Sequence, residues 1–478
     1  MWYGEAHPMN GIVAYGAYLP YFRLDRKAIG EVLGGSAGKG TRVVASYDED
    51  TTSMGVEAAR AALRGAPRLA PAAIYFATAD PAYLDKTNAT AIHAALTLDE
   101  SVMAFDMLGS IRSAAGVLRA ATDAGRPTLA VLSDIRTGLP GGADERDGGD
   151  AAAAFLLAPG DADTPVLAEP VAAASVTAEF LERWRVPGDA ASRQWEERFG
   201  EHAYGPLAEA AIASALKQAG LTGSELASVI VAGSHGRANK RAAGVAGAKP
   251  AALGDDLTGT VGNTGAAHAG LLLADALDRA QADDLIMVVS LADGCDVTVW
   301  RATAALARGR QQVPVARQVA AGGGVSYPTF LTWRGFLKRE PPRRPDPQAP
   351  AAPPAFRAEA WKFGFTGSRC QACSTRHLPP TRVCLKCHAV DRMTPERMAD
   401  VPATIATCTV DRLAYSLSPP VVVGVLDFEG GGRFTCELTD VDPAAVKIGN
   451  RVEMTFRRLM TAHDVHNYFW KARPLRGA

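Results

Sequence analysis

Two stretches hold residues whose types and spacing could do chemistry. In "CQACSTRHLPPTRVCLKC", Cys370, Cys373, Cys384 and Cys387 have the spacing C-x2-C-x10-C-x2-C. Each C-x2-C pair can place two thiolates on one tight turn, and two such turns close a tetrahedron. Four thiolates fill the shell, which predicts structural zinc rather than a catalytic ion with an open position; a redox or iron–sulfur role is the alternative. His377 and His388 lie nearby as substitute ligands. The second stretch is "FDMLGSIRSAAG", Phe105 to Gly116, where an apolar strand-like run enters a helix of small residues. A helix start stabilises an anion through free N–H groups and its dipole. A thiol, with unperturbed pKa ~8.5, becomes reactive there, whereas Ser110 needs an adjacent base. No cysteine precedes Cys295. His235 follows another apolar strand, in "VIVAGSHG", the place where open α/β sheets put their active sites.

The elements that must position these groups follow from pattern. Gly11 to Val313 alternates apolar runs such as "LASVIVAG" and "LIMVVSLA" with Ala-rich helical segments, which argues for an α/β layered fold. The chain also repeats itself. "SIRSAAGVLRAATDAGRPTLAVLSD" is echoed by "NTGAAHAGLLLADALDRAQADDLIMVVSLAD", and "SMGVEAARAAL" with "PAAIYFATAD" by "PLAEAAIASALKQAG" with "LASVIVAGSHG". Two similar halves are the economical reading. The Pro-rich run "KREPPRRPDPQAPAAPPAFRAEA" predicts a semi-rigid, extended linker. After Trp361 come the cysteines and then short β-like runs, "TIATCTV", "PPVVVGVLDFEG", "GRFTCELTD" and "NRVEMTFRRL", which suit a small barrel. The predicted segments are 1–338, a linker at 339–360, a zinc ribbon at 361–393 and the barrel at 394–478.

A chain of 478 residues carries two to four domains at roughly 150 residues each. Lys and Arg number 50 against 51 Asp and Glu, which gives no overall excess charge for nucleic acid or an anionic membrane. The opening "MWYGEAHPMNGIVAYG" lacks a basic segment followed by an apolar core, and no run of about 18 apolar residues follows. A cytoplasmic location is expected. Four clustered cysteines of seven suit a metal better than a disulfide framework.

"GIVAYGAYLPYFRLDRKAIGE", "SYDEDTTSMGVEAARAAL", "GSHGRANKRAAG", "GNTGAAHAGLLLADALD" and "VVSLADGCD" resemble, in order over about 300 residues, the thiolase superfamily, especially 3-hydroxy-3-methylglutaryl-CoA synthases of the archaeal type. "GSRCQACSTRHLPPTRVCLKC", "PPVVVGVLDF", "DVDPAAVKIGNRVEMTF" and the terminal "KARP" resemble the DUF35 family, a zinc ribbon followed by an OB-fold. Members of that family usually accompany thiolase-like partners as separate subunits. The resemblance implies a duplicated thiolase-like αβαβα fold with a C-terminal zinc ribbon and OB-fold. It makes Glu49 the general acid/base, His235 the residue at the thioester carbonyl and Asn263 a hydrogen-bond donor. A carboxyl group in a mostly apolar pocket has its pKa raised toward neutrality, which suits proton transfer. An imidazole N–H and an amide stabilise a developing oxyanion. Glu49 as a solvated helix start and Asn263 as a turn residue are the structural alternatives. Lys240 and Arg241 are candidates for the CoA phosphates, or plain surface charges.

The resemblance breaks at the nucleophile. Its catalytic Cys stands five residues after the strand Asp, and from Asp106 that count reaches Ile111, one beyond Ser110. Cys295, in "DGCDV", has a family counterpart that is not the nucleophile. An aldol, retro-aldol or Claisen-type step on an acyl-CoA or acyl-carrier thioester heads the readings, because an aldol step needs an enolate, an oxyanion hole and a proton shuttle but no acyl-enzyme. An HMG-CoA synthase-like condensation or acyl transfer through Ser110 is the second reading, and a non-catalytic thioester-binding scaffold the third. Ser110 is expected to cap its helix instead of carrying an acyl group. Structural zinc, a CoA thioester as substrate and a homodimer complete the expectations. Nucleic acid is not expected at the OB-fold, because "DFEGGGRFTCELTDVD" is acidic.

Overall fold

Nine apolar runs become strands of one sheet in the computed structural model, which describes residues 10–35, 38–345 and 347–476. The first nine residues, read above as free of a targeting signal, lie outside the described residues. The strands are β1 (Gly11–Tyr18), β2 (Ala73–Thr78), β3 (Met103–Leu108), β4 (Thr128–Ile135), β5 (Asp150–Ala158), β6 (Ala168–Thr177), β7 (Ser228–Gly233), β8 (Leu285–Leu291) and β9 (Gly294–Ala302). Their order is β7-β8-β9-β6-β1-β5-β4-β2-β3.

The order contains the repeat. In the first half β3 and β4 flank β2 in parallel, β4 pairs antiparallel with β5, and β5 antiparallel with β1. In the second half β7 pairs parallel with β8, β8 antiparallel with β9, and β9 antiparallel with β6. Strands β6, β7, β8 and β9 thus repeat β1, β2, β4 and β5, and among the described residues no strand of this sheet is a counterpart of β3. The halves meet through β1 and β6, where Ile12 pairs with Ala168.

Small residues let helices approach this sheet. A Cβ on Gly16 would sit 2.5 Å from the backbone N of Ala62, so only glycine allows helix α1 (Thr51–Gly65) its seat on β1. Helices α2 (Ser113–Asp123) and α5 (His268–Arg279) occupy equivalent places before β4 and β8. On α5 the residues His268–Leu277 are buried, and a Cβ on Gly270 would meet Leu132 at 2.7 Å. Helices α3 (Glu197–Ala219) and α4 (Gly236–Val245) flank β7 in sequence.

The described residues up to Ala45, with Glu57–Ala89 and Glu100–Tyr327, form one compact unit. The other comprises Ser46–Val56, Thr90–Asp99 and the residues from Pro328 onward. In this second unit a three-stranded sheet, β10 (Thr366–Cys370), β11 (Arg376–His377) and β12 (Met393–Arg397), has the order β11-β10-β12. A closed barrel follows, β13 (Ala403–Asp411), β14 (Val421–Phe428), β15 (Arg433–Leu438), β16 (Arg451–Ala462) and β17 (Val465–Pro474), in the order β13-β14-β15-β17-β16. The Pro-rich linker is not wholly extended. Helix α6 (Ala352–Arg357) interrupts it, because its prolines fall at the first helical positions, where a missing N–H costs nothing.

Candidate active site and metal centre

His235 caps α4 two residues beyond the end of β7, and its Nδ1 accepts the Ala238 N–H at 3.1 Å. With Nδ1 accepting, the tautomer this bond selects carries its ring proton on Nε2. The ring is buried against Gly200 of α3: a Cβ there would lie 2.6 Å from Cδ2, 3.0 Å from Nε2 and 3.1 Å from Cγ of Glu182. Burial pushes the Glu182 carboxyl above its usual range, against the pull of Arg183 and His235. Tyr204 stands 6.5 Å from the imidazole, its hydroxyl also raised by burial and by Glu182.

Asn263 is drawn to the same strand end. Its Nδ2 donates to the Gly233 carbonyl at 2.7 Å, and Asn239 donates to that carbonyl at 2.9 Å. The Oδ1 of Asn263 accepts from Gly265 N at 2.9 Å. One amide hydrogen is therefore committed to the fold, and the second has no acceptor among the described residues. Asn263, Gly233, Ile111, Arg112 and Ser290 line a cavity of about 20 Å³. Ser290 also borders a second cavity of about 270 Å³, walled by Ala115, Leu118, Ala173, Val288 and Val297.

Ser110 does not cap its helix. Gly109 turns the chain with φ +96°, α2 begins only at Ser113, and its N-cap position is Arg112, without a side-chain cap. The Ser110 hydroxyl instead accepts from Arg112 N at 3.1 Å and donates to Asp293 at 3.4 Å. Arg112 holds this turn to the second half of the sheet, reaching Asp296 at 2.8 Å, the Asp293 carbonyl at 2.7 Å and Thr177 at 2.8 Å. Cys295 is fully buried, and that burial, with Asp296, pushes its thiol up to about 12. It is a packing residue in this state, not a thiolate.

Glu49 is not in an apolar pocket. Within the second unit its Oε1 meets Arg457 of β16 at 2.5 Å, and its Oε2 accepts from Ser46 N at 2.9 Å. A guanidinium at that distance favours the ionised carboxylate, the opposite of the neutral acid expected from burial alone. Lys240 is exposed on α4. Arg241, also exposed, is engaged by Glu209 at 2.7 Å and packs over Gly205, so its guanidinium already has a protein partner.

The four cysteines come together as their spacing predicts. Their Sγ atoms all lie within 4.8 Å of one another, with Cys370–Cys387 at 3.6 Å and Cys373–Cys384 at 3.5 Å. A tetrahedron with Zn–S bonds of ~2.3 Å has edges of about 3.8 Å, so the donor set fits such an ion. Backbone N–H groups of Lys386 and Cys387 point at Cys384 Sγ, both at 3.4 Å.

Sequence reasoning missed Glu182, Tyr204 and Arg112. Glu182 lies in "FLERWRVPG", an irregular stretch with no periodicity to mark it. Arg457 is one of two adjacent arginines in "NRVEMTFRRL", and nothing in that run shows which of them is buried.

Comparison with known proteins agrees with this architecture. Residues 396–457 match the family model described as ChsH2, C-terminal OB-fold domain. A hydroxymethylglutaryl-CoA synthase of Aeropyrum pernix is 30% identical over 303 residues, covering 59% of this chain and 82% of that protein. Among solved structures, an HMG-CoA synthase complexed with CoA superposes with TM-score 0.58 at 15% identity, over 67% of this chain and 89% of the other. The 3-oxoacyl-(acyl carrier protein) synthase III of Pseudomonas aeruginosa superposes with TM-score 0.55 at 19% identity, over 62% and 98%. With a duplicated thiolase-like sheet, an OB-fold barrel and this similarity in sequence, the chain belongs to the hydroxymethylglutaryl-CoA synthase family.

Proposed function

We propose that the chain acts on acyl-CoA or acyl-carrier thioesters and makes or breaks the carbon–carbon bond β to the thioester carbonyl, by aldol or retro-aldol chemistry without an acyl-enzyme. The observation that supports this most is the state of the candidate nucleophiles. Ile111 stands at the count of the family Cys, Ser110 is engaged by Arg112 and Asp293, and Cys295 is a buried thiol. In the forward direction a carboxylate, Glu49, takes a proton from Cα. His235 Nε2–H and the second amide hydrogen of Asn263 hold the enolate oxygen. The enolate carbon then bonds to the carbonyl carbon of an acceptor, whose oxygen takes up the proton that Glu49 carried. The retro-aldol direction passes through the same enolate. Lys240 contacts the CoA phosphates, and zinc on Cys370, Cys373, Cys384 and Cys387 holds the ribbon together.

A second reading is condensation or acyl transfer through Ser110, and the observation that favours it is Asp293, 3.4 Å from the hydroxyl as a base. One experiment separates the two. Acetyl-CoA is incubated with the protein in D2O, exchange of its methyl protons is followed by NMR, and acid-quenched protein is weighed intact. Exchange without an acetyl mass increase supports the aldol reading. An increase of one acetyl group that disappears in Ser110→Ala refutes it, and the absence of both, across a panel of acyl-CoAs, leaves the scaffold.

The protein is further proposed to act as a homodimer through β3. That strand ends the sheet order, no strand pairs with its outer edge among the described residues, and Phe105 on it is 54% exposed. A C₂ dimer is the commonest assembly of soluble proteins.

A further inference from the structure

Arg457 is a fully buried guanidinium inside a small barrel, and such a charge requires partners. It has three carboxylates. Glu49 lies at 2.5 Å, Asp440, just after β15, at 2.7 Å, and Asp48 at 3.6 Å. Two of these have cations besides Arg457: Lys471 of β17 meets Asp48 at 3.0 Å, and Arg476 meets Asp440 at 2.8 Å. The rest of the segment is held as closely. Arg458 N donates to the Asp48 carbonyl at 2.9 Å, Lys471 reaches the Tyr47 hydroxyl at 3.2 Å, and the Tyr468 hydroxyl donates to Asp50 at 2.6 Å. Two neighbouring barrel strands thus grip four consecutive residues, Tyr47 to Asp50.

A buried ion-pair cluster is in itself a weak source of stability. Well-packed apolar residues in place of a buried ion pair are often as stable or more so. What the ionic grip does supply is one orientation for the acidic segment, with cations set against Asp48 and Glu49. We propose that Arg457 is a positioning residue for Glu49: the barrel strand holds that carboxylate ionised and aimed, so the OB-fold supplies part of the function of the base. The proposal rests on the reading of Glu49 as the proton-transfer group. Asp48 behaves in keeping with it. Burial works against its charge, yet Lys471, Arg457 and Ser46 hold it well below the usual carboxylate range.

The test uses the full chain carrying ¹³C-labelled glutamate carboxyls, with the Glu49 resonance assigned by its absence in Glu49→Gln. The charged and titratable groups of the grip are Tyr47, Asp48 and Asp50 on its own segment, Arg457 and Arg458 from β16, Tyr468 and Lys471 from β17, Glu437 and Asp440 from β15 and its end, and Arg476 after β17. In Arg457→Gln the Glu49 midpoint should rise by about 1–3 pH units, the scale of losing an adjacent opposite charge. Exchange of acetyl-CoA methyl protons at pH 6 should fall at least ~10-fold while KM for acetyl-CoA stays within about twofold. Arg457→Lys should restore the midpoint more than the rate, because a point charge replaces a planar fork. An unmoved midpoint, or unchanged exchange, in folded Arg457→Gln overturns the proposal. If Arg457→Gln fails to fold, Asp440→Asn loosens the same guanidinium, and wild-type midpoint and exchange in both it and Arg457→Lys overturn it equally. A shifted midpoint with equal exchange in wild type and Glu49→Gln leaves the grip standing and removes the catalytic reading of Glu49 instead.

Discussion

Gly200→Ala tests whether the orientation of His235 matters to the chemistry, with one methyl group. Position 200 is helical and has no positive φ, so alanine is favourable for the backbone, by ~1 kcal/mol on helix propensity. The new Cβ lands 2.6 Å from His235 Cδ2 and 3.0 Å from Nε2, where ordinary contact begins at 3.4 Å. The ring must withdraw by about 0.8 Å at Cδ2. It cannot do so freely, since Nδ1 is tied to Ala238 N at 3.1 Å. Overpacking of this kind costs ~1–3 kcal/mol, so the net loss of stability should be at most about 2 kcal/mol and the protein should stay folded. A displacement near 1 Å at a reacting group costs up to ~10²-fold in rate. Deuterium exchange into acetyl-CoA should therefore fall by ~10-fold or more while the denaturation midpoint moves little. Wild-type exchange in a variant whose His235 resonances have shifted would refute the assignment of His235 to the thioester carbonyl.

Four other outcomes are expected. The protein should hold one zinc per chain by metal analysis, and Cys373→Ser should lack it and destabilise the second unit, because a closed site contributes folding energy; no zinc, or full metal with unchanged melting, argues against a zinc ribbon. Ser110→Ala should lose turnover by no more than ~10-fold, the cost of one local hydrogen bond, and a larger loss would promote the acyl-transfer reading. Asp134, fully buried, has its pKa raised to about 6 by that burial, against Arg136 and the Ala266 N–H. A group raised on folding stabilises fully below its unfolded value and loses that contribution as pH rises through the folded one. Stability of the wild type should thus fall by up to about 3 kcal/mol between pH 4 and 6, at ~1.4 kcal/mol per unit, and Asp134→Asn should flatten that slope in urea titrations. Phe105→Asp should turn a dimer of about 100 kDa into a chain of 50.1 kDa by light scattering, and a monomeric wild type would sink the β3 interface.

The sequence made some of this legible for identifiable reasons. Two C-x2-C turns carry their geometry in their spacing, so the cysteine cluster needs nothing distant to be read. The duplicated strand order follows from apolar runs and small-residue helices repeated in the same succession, and Gly16 and Gly270 show why those helices had to be small. The start of α2 was misjudged because capping depends on where the chain turns, and the positive φ of Gly109 delays the helix to Ser113. The surroundings of Glu49 were illegible for a stronger reason. Tyr468 lies 418 residues from its partner Asp50, and no local pattern in "YDED" or "FRRL" announces a contact over that separation.

In the proposed reaction without an acyl-enzyme, the rate comes from groups already in the correct state when the thioester arrives, since no covalent step divides the barrier. An enolate forms when a base takes a proton while a donor holds the oxygen. The base must rest ionised and the donor must rest with its proton outward. In the proposed mechanism Arg457 serves the first condition, with its guanidinium 2.5 Å from Glu49. In the same proposal the Ala238 N–H serves the second, because occupying Nδ1 of His235 selects the tautomer with its proton on Nε2. A paired carboxylate is a weaker base than a free one, so the pairing trades basicity for orientation and constant ionisation. Such a trade suits a reaction that begins with proton removal, from Cα in the aldol direction or from the β-hydroxyl in the reverse. It would handicap one that begins with proton donation by Glu49.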